Sequence, residues 1–182
     1  MIITIAGQAG AGKGTVSRLL AKALGYKHYS MGDLRRQMAS QRGMSLAEFN
    51  ELGEAEVFTD KEVDDYQRTL GATEDDFVMD SRLGWFFIPN SVKIYLTVQL
   101  KEAARRVLAD PRPVEPFTNQ AQAMEALLER ERSDKKRYAQ YYGIDPFEEG
   151  HYDLVIDTTK ITAEETVKRI LAFLREHGKR SA

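Results

Sequence analysis

Cysteine is absent from the sequence, and its three histidines are scattered without the spacing of a metal site. Disulfide bonds, thiolate zinc sites and a cysteine nucleophile are therefore excluded. Neither sign of charge dominates, because 26 Lys and Arg residues are balanced by 28 Asp and Glu residues. We therefore expect no nucleic-acid partner that a global basic field would hold. No apolar run approaches the roughly 20 residues that span a bilayer, and no basic leader precedes Ile2, so we expect no membrane partner and a cytoplasmic location.

Apolar runs of strand length alternate with stretches of helical periodicity. The strand segments are 2–6, 77–80, 92–98 and 152–157, with 27–30 as a weaker fifth, and the helical segments are 15–25, 33–41, a run from Glu102, 118–142 and 163–178. Gly25 and Gly178 are predicted to end two of the helices. This alternation predicts a three-layer α/β/α fold with a five-stranded parallel sheet, in which ligands bind at the carboxyl ends of the strands.

The chain length and its 42% hydrophobic content suit a single domain over 1–182. Segments 1–30 and 72–182 carry the predicted strands and form its core. Segment 31–71 is predicted to be a helical insertion. A proline-interrupted stretch at 101–117 suits a short lid.

The stretch GQAGAGKGT, at 7–15, directly follows the first predicted strand and opens the first predicted helix. In that order, glycines let backbone N–H groups surround a phosphate while the helix N-terminus faces it, and Lys13 adds a charge. The spacing is that of a phosphate-binding loop, although Gly14 stands where serine or threonine is usual and Thr15 comes one step later. We predict that the loop binds the phosphates of a nucleoside triphosphate. The binding residues are Gly7, Gln8, Ala9, Gly10, Ala11, Gly12, Lys13, Gly14 and Thr15.

Two charged residues lie at the end of the predicted strand 77–80: Asp80 is its last residue, and Arg82 comes two residues later. Asp80 would lie at the carboxyl edge of the sheet beside the loop, where it can hold magnesium directly or through water. Arg82 emerges from the same edge and can bind a phosphate with paired N–H donors. The alternatives are a turn aspartate and a surface arginine.

The predicted helix at 118–142 carries Arg130, Asp134 and Arg137 at i, i+4 and i+7, so the three share one stripe. A carboxylate between two arginines can hold their guanidinium groups in place before a substrate arrives. The alternative is a surface ladder of weak ion pairs.

Five stretches together carry a family resemblance: the GKGT loop, SMGDLRR (30–36), VMDSRLGW (78–85), RERSDKKRYAQYYGID (130–145) and YDLVIDTTK (152–160). The chain resembles cytidylate kinase-like nucleoside monophosphate kinases, in particular their short archaeal-type members. The resemblance implies a P-loop kinase fold and transfer of a phosphoryl group from ATP, with Mg²⁺, to CMP or dCMP. It also implies small-molecule nucleotides as partners and a monomeric enzyme.

The resemblance assigns roles to individual residues. It implies Lys13, Arg82, Arg130 and Arg137 as catalytic residues, Asp33, Arg36, Asp80, Arg82, Asp134 and Arg137 as substrate-binding residues, and Thr15 and Asp80 as metal ligands. Successive helical residues differ by about 100° in direction, so Arg35 and Arg36 cannot face the cleft equally well. The resemblance favours Arg36, which leaves Arg35 as the solvated neighbour.

The sequence leaves alternatives for two features, the lid arginine and the group that recognises the base. The lid arginine that meets the donor phosphates can be Arg105, Arg106 or Arg112. An acceptor for the cytosine amine can come from Asp60, Asp64 or Gln67 in the insertion, which we expect to carry acceptor binding. Bacterial cytidylate kinases have DGRD where this chain has DSRL, so Leu83 leaves the choice among CMP, dCMP, UMP and AMP open.

Two other functions fit the sequence. One is a kinase for another small acceptor, which includes a non-nucleotide. The other is a regulatory protein that binds or hydrolyses ATP. The kinase requires cationic side chains around a second anion pocket, whereas the regulatory protein requires an exposed surface for a partner.

Overall fold

Five parallel strands form one sheet in a computed structural model that describes residues 1–55, 58–109 and 118–180. The strands are β1 (Ile2–Gly7), β2 (Lys27–Ser30), β3 (Phe77–Asp80), β4 (Val92–Thr97) and β5 (Leu154–Asp157). The helices are α1 (Lys13–Leu24), α2 (Met31–Gln41), α3 (Leu46–Ala55), α4 (Phe58–Thr73), α5 (Gly84–Phe87), α6 (Leu100–Ala109), α7 (Gln120–Tyr142) and α8 (Ala163–Arg180), with a 3₁₀ turn at Glu149–His151. The predicted α/β fold class is confirmed.

The strand order β2-β3-β1-β4-β5 places β1 at the centre of the sheet. Its residue Ile5 pairs with Asp80 of β3, and Gly7 pairs with Leu96 of β4. The carboxyl ends of β1 and β3 are therefore neighbours. This register brings the loop that follows Gly7 beside the segment that follows Asp80.

Side chains on the central strands alternate between the two faces of the sheet. Ile3 and Ile5 lie in a core with residues of α1, α6, α7 and α8. On the opposite face, Ile2, Phe77 and Met79 pack against α2, α3 and α4. Burial of each large apolar side chain contributes about 1.5–3 kcal/mol, so both helical layers are held to the sheet by their apolar faces.

The insertion at 31–71 contains α2, α3 and most of α4 and packs onto β3 around the fully buried Phe49. A capping box begins α3: the Ser45 N–H donates to Glu48 Oε2 at 2.7 Å, and the Glu48 N–H donates to Ser45 Oγ at 3.2 Å. These contacts fix the start of α3 locally, whereas the apolar contacts fix the position of the insertion.

One predicted helix end is wrong, and one short helix was not predicted. Gly25 ends α1 as predicted, but α8 continues past Gly178 to Arg180, so the predicted end at Gly178 is wrong. The four-residue helix α5 was not predicted, because one turn is too short to show a helical period. Among the described residues, no helix combines the length and apolarity that crossing a bilayer requires.

Gly7 occupies a position where an added side chain would collide with backbone. Its φ is 140°, and a Cβ would lie 2.2 Å from the Leu96 carbonyl oxygen. We expect Gly7→Ala to lower the free energy of unfolding by about 3 kcal/mol, from strain and overpacking together. Urea denaturation followed by circular dichroism measures this loss.

Gly25→Ala is the matched control. Its backbone is also left-handed, with φ at 70°, but a Cβ there meets nothing within 4 Å. The expected cost is about 1 kcal/mol. Equal losses for the two variants would show that the contact with Leu96 does not matter.

Candidate active site

The loop between β1 and α1 presents backbone donors rather than side-chain caps. Gly12 is the N-cap of α1, its φ is 84°, and no side chain caps the first turn. The first N–H groups of α1 therefore need an external acceptor. Together with the positive end of the helix dipole, they suit an anion such as a phosphate.

Lys13 lies at the start of α1, and its Nζ donates to the Gln8 carbonyl at 2.8 Å. The Gln8 side chain accepts from the Val98 N–H at 2.9 Å, which ties the loop to the segment after β4. Burial and the nearby charge of Arg82 lower the pKa of Lys13 to about 7. A ligand anion beside this lysine would stabilise the charged ammonium group and so raise its pKa.

A cavity of about 680 Å³ opens in front of the loop. That volume lies within the range of small-molecule sites. We call it the first cavity. Its walls come from the loop, Asp80, Arg82, the α6 residues Glu102, Arg105 and Arg106, Arg130 and the segment 158–166.

Arg82 is fixed in place by both its backbone and its side chain. Its Nη1 donates to the Gly7 carbonyl at 3.0 Å, and its Nε forms an ion pair with Asp134 Oδ2. The Trp85 indole N–H donates to the Arg82 carbonyl at 3.1 Å. The short helix α5 therefore orients the arginine that stands beside the loop.

Two buried carboxylates hold the arginines behind the loop. Asp134 accepts from Arg137 Nη2 at 2.5 Å, and both Asp60 oxygens accept from Arg137 Nη1, at 2.7 and 2.8 Å. Asp60 also accepts from Arg35 Nη1 at 2.9 Å. Burial opposes ionisation of Asp134, but Arg82, Arg137 and Arg130 lower its pKa below the usual value. This cluster, which we call the arginine–carboxylate network, comprises Arg35, Asp60, Arg82, Asp134 and Arg137.

A second, smaller cavity of about 60 Å³ lies on the insertion side of this network. Residues of α2, α3, α4 and α7 line it, among them Arg35, Asp60, Asp64, Gln67 and Asp134. Four residues line both cavities: Gly32, Ser81, Arg82 and Arg130. The two cavities therefore meet at the guanidinium-bearing side chains Arg82 and Arg130.

The predicted site residues separate into two groups by position. Lys13, Thr15, Asp80, Arg82 and Arg130 line the first cavity, and Arg82, Arg130 and Asp134 line the second. Arg137 is only 1% exposed and lies behind both, where it contacts Asp60 and Asp134. The structure thus brings these residues together, with Arg137 as their buried support, whereas the predicted Asp33 and Arg36 line neither cavity.

The expectation that Arg35 is solvated is wrong. Its side chain is 11% exposed and reaches Asp60 and Asn50, and it lines the second cavity. Arg36 instead donates to the exposed Asp33 at 2.5 Å and lies over Gly32. The buried Met31, Met38 and Ala39 contain the missing signal, because Arg35 lies at i+4, i−3 and i−4 from them, whereas Arg36 has such a spacing only to Ala39.

Sequence reasoning also missed Ser81 and Trp85 as site residues. Ser81 lines both cavities, and Trp85 holds the Arg82 carbonyl. Both lie within 78–85, the stretch that also contains Asp80 and Arg82. Among the lid candidates, Arg105 and Arg106 line the first cavity, and Arg106 donates to the Thr158 carbonyl at 2.6 Å. Arg112 lies outside the described residues.

The donor set of the first cavity fits magnesium rather than a transition metal. Within 1–55, 58–109 and 118–180, no group of three or more His, Cys, Asp or Glu side chains is arranged so that it could hold a metal ion. Asp80 supplies a carboxylate there, and its Oδ2 lies 3.4 Å from where a Cβ of Gly14 would stand. A single carboxylate is enough for Mg²⁺, which takes its other ligands from phosphates and water.

Solved structures with the same architecture identify the fold. Shikimate kinase from Acinetobacter baumannii matches with a TM-score of 0.62 and 19% identity over 97% of this chain and 93% of that one. A gluconokinase from Sinorhizobium meliloti matches with a TM-score of 0.63 and 16% identity over 98% and 93%. With its loop and parallel sheet, the chain has the fold of the P-loop kinases.

Sequence comparison identifies the family. The model of the cytidylate kinase-like family matches residues 2–160. Cytidylate kinase of Sulfurisphaera tokodaii is 35% identical over 96% of this chain and 95% of its own length, and that of Pyrococcus abyssi is 39% identical over 90% and 88%. The chain belongs to the cytidylate kinase-like family, as the resemblance predicted.

The arginine–carboxylate network generates a stability prediction. Asp60→Asn removes the charge that Arg35 and Arg137 share, and a broken buried ion pair costs about 3–5 kcal/mol. We expect the free energy of unfolding to fall by at least about 3 kcal/mol in urea titrations. Asp65→Asn, on the exposed face of the same helix, should change it by less than about 0.5 kcal/mol. A small effect of Asp60→Asn would contradict a stabilising role of the Asp60 charge in the network.

Proposed function

We propose that this protein transfers the terminal phosphoryl group of ATP to CMP or dCMP and so produces ADP and CDP or dCDP. The observation that carries the proposal is that the two cavities share Arg82 and Arg130. A phosphoryl group that passes from one anion to another requires positive charge at that boundary. The family membership and the relatives that are cytidylate kinases supply the acceptor class.

The first cavity receives the donor. Its volume suits a nucleotide, and the loop amides with Lys13 bind the phosphates. Asp80 and Thr15 would hold Mg²⁺, directly or through water, and the ion would neutralise charge on the donor phosphates. Arg106 borders this cavity and is anchored on Thr158, which makes it our choice for the lid arginine.

The second cavity receives the acceptor. At about 60 Å³ it is far smaller than an ordinary ligand site, so the insertion must move outward to admit a nucleotide. Arg36 and Arg82 then contact the acceptor phosphate, while Asp134 keeps Arg82 oriented. Every residue in this scheme comes from one chain, and we propose that the enzyme acts as a monomer on free nucleotides.

Charge stabilisation and alignment account for the transfer. Arg82 and Arg130 flank the path between the two phosphates, and Arg137 holds Asp134 from behind. Because Asp134 pairs with Arg82 before any substrate binds, little rearrangement accompanies the transfer. The acceptor phosphate attacks in line, and no covalent enzyme intermediate is required.

An acceptor panel tests the function. We expect purified protein with ATP and Mg²⁺ to phosphorylate CMP and dCMP more efficiently than UMP or AMP, measured as ADP release in a coupled assay. Shikimate and gluconate serve as acceptors for the structural neighbours and should be inactive. Turnover with no monophosphate, together with ATP binding, would favour the regulatory protein instead.

Arg130→Met tests the charge at the boundary. We expect kcat to fall by about 10²- to 10³-fold, because a donor to the transferring group is lost. Arg132→Met on the same helix is the control, since Arg132 is 73% exposed and pairs with Glu129 at the surface. Equal activity of the two variants would remove Arg130 from the reaction.

The lowered pKa of Lys13 predicts proton uptake on ATP binding. In the free protein at about pH 8 this lysine is mostly neutral, and bound phosphates restore its positive charge. ATP affinity should therefore decrease as the pH rises above about 7. Calorimetry in buffers of different ionisation enthalpy should show uptake of about one proton per ATP. Lys13→Met should bind ATP weakly and without proton uptake, and an unchanged proton count would contradict the assignment.

A further inference from the structure

One carboxylate in the second cavity is buried without a cationic partner. Asp64 on α4 lines this cavity and is 4% exposed. Its hydrogen bonds come from uncharged groups, the Tyr142 hydroxyl and the Gln67 amide, and no ion pair reaches it among the described residues. Asp60 and Asp134 in the same cavity are both paired with arginines. A buried carboxylate that lacks such a partner is costly unless a ligand uses it.

A chain of hydrogen bonds fixes the orientation of Asp64. The Leu83 N–H donates to Ser81 Oγ at 3.2 Å, and the Ser81 hydroxyl donates to Gln67 Oε1. The Gln67 amide N–H₂ must then face Asp64, where it donates to Oδ1 at 3.4 Å. The Tyr142 hydroxyl donates to Oδ2. A carboxylate has about four acceptor positions, so positions remain for a group in the cavity.

Asp60 is less suited to the same task. Both of its oxygens bind Arg137, and Oδ1 also binds Arg35. A ligand amine that approached it would compete with two guanidinium groups and be repelled by their charge. Among the three candidates of the insertion, Asp64 therefore combines a free acceptor with a fixed orientation.

We propose that Asp64 reads the base of the acceptor nucleotide by accepting a hydrogen bond from an exocyclic amino group, and that Tyr142 is the positioning residue that holds it. Cytosine offers an amino group where uracil offers a carbonyl oxygen, which an ionised carboxylate repels. The inference rests on the proposed function, because it requires that the second cavity bind the acceptor. It supplies from α4 the acceptor that Leu83 cannot provide.

The proposal predicts a base preference that changes with pH. Burial raises the pKa of Asp64 to about 6, and the Tyr142 hydrogen bond opposes that rise. The charged and titratable groups that face it are Arg35 from α2, Asp60 and Arg68 from α4, Tyr138 and Tyr142 from α7, and Arg82, Arg130 and Asp134 across the cavity. Above its pKa the ionised acid accepts from cytosine, whereas the protonated acid donates to a carbonyl.

The experiment measures kcat/KM for CMP and for UMP from about pH 5.5 to about pH 8. Both nucleotides carry the same phosphate, so the ratio of the two values cancels titration of the phosphate and of Lys13. For the wild type we expect the CMP/UMP ratio to rise with pH through about 6. Asp64→Asn should lower the ratio at neutral pH by about 10- to 100-fold and remove its pH dependence.

Tyr142→Phe separates positioning from structure. Loss of the hydroxyl removes the group that lowers the pKa of Asp64, so the midpoint of the ratio should move to higher pH. Asp65→Asn makes the same chemical change on the exposed side of α4 and should leave both the ratio and its midpoint unchanged. A general loosening of the fold would lower kcat/KM for both nucleotides and leave the midpoint in place.

The outcomes distinguish the two proposals. A wild-type preference for CMP that Asp64→Asn does not change overturns the inference and leaves the kinase function intact. If Asp64→Asn does not fold by circular dichroism, an unchanged midpoint in Tyr142→Phe overturns the inference. A wild type that phosphorylates neither nucleotide overturns the proposed function and the inference with it.

Discussion

The site depends on the attraction between two buried carboxylates and the arginines that converge on them. Asp134 binds Arg82 and Arg137, and Asp60 binds Arg137 and Arg35, so Arg137 links the two acids. Without these acids, guanidinium groups from three segments would repel one another inside the protein. Lys13 stands on the other side of Arg82, and burial together with the charge of Arg82 lowers its pKa. Anions such as phosphates would stabilise the charges of both side chains.

The fold determines which charges can meet. Because β1 and β3 are neighbours in register, the phosphate-binding loop and Arg82 leave the sheet side by side. The helix α7 spans the distance between α6 and the insertion, so a single helix presents Arg130 to both cavities and Asp134 and Arg137 to the network. The insertion enters between β2 and β3 and adds Arg35 and Asp60 from its own side. The charged groups therefore come from α2, α4, α7 and the segment after β3, and packing of the apolar faces controls their distances.

The sequence predicts the part of the site that local spacing encodes. Strand, glycine loop and helix follow one another along the chain, and parallel strands place Asp80 and Arg82 at the same edge, so that half could be anticipated. The ion pairs between Arg35 and Asp60 and between Arg137 and Asp60 join residues 25 and 77 positions apart, and no local pattern links them. Helical spacing gives only relative directions around an axis. Arg35 was expected to be solvated because the family resemblance favours Arg36. The buried Met31 and Met38 indicate instead which face of α2 turns inward.

The two cavities differ in how far they are formed before substrate binds. The first cavity is open at about 680 Å³, whereas the second is closed to about 60 Å³ around polar groups that already bind one another. In the proposed reaction the acceptor phosphate binds Arg82 while Asp134 keeps its ion pair with the Arg82 Nε. Arg137 binds Asp60 and Asp134 as well, so neither acid is a buried, unpaired charge. The arginine–carboxylate network thus lets Arg82 bind a phosphate without the cost that breaking a buried ion pair usually carries.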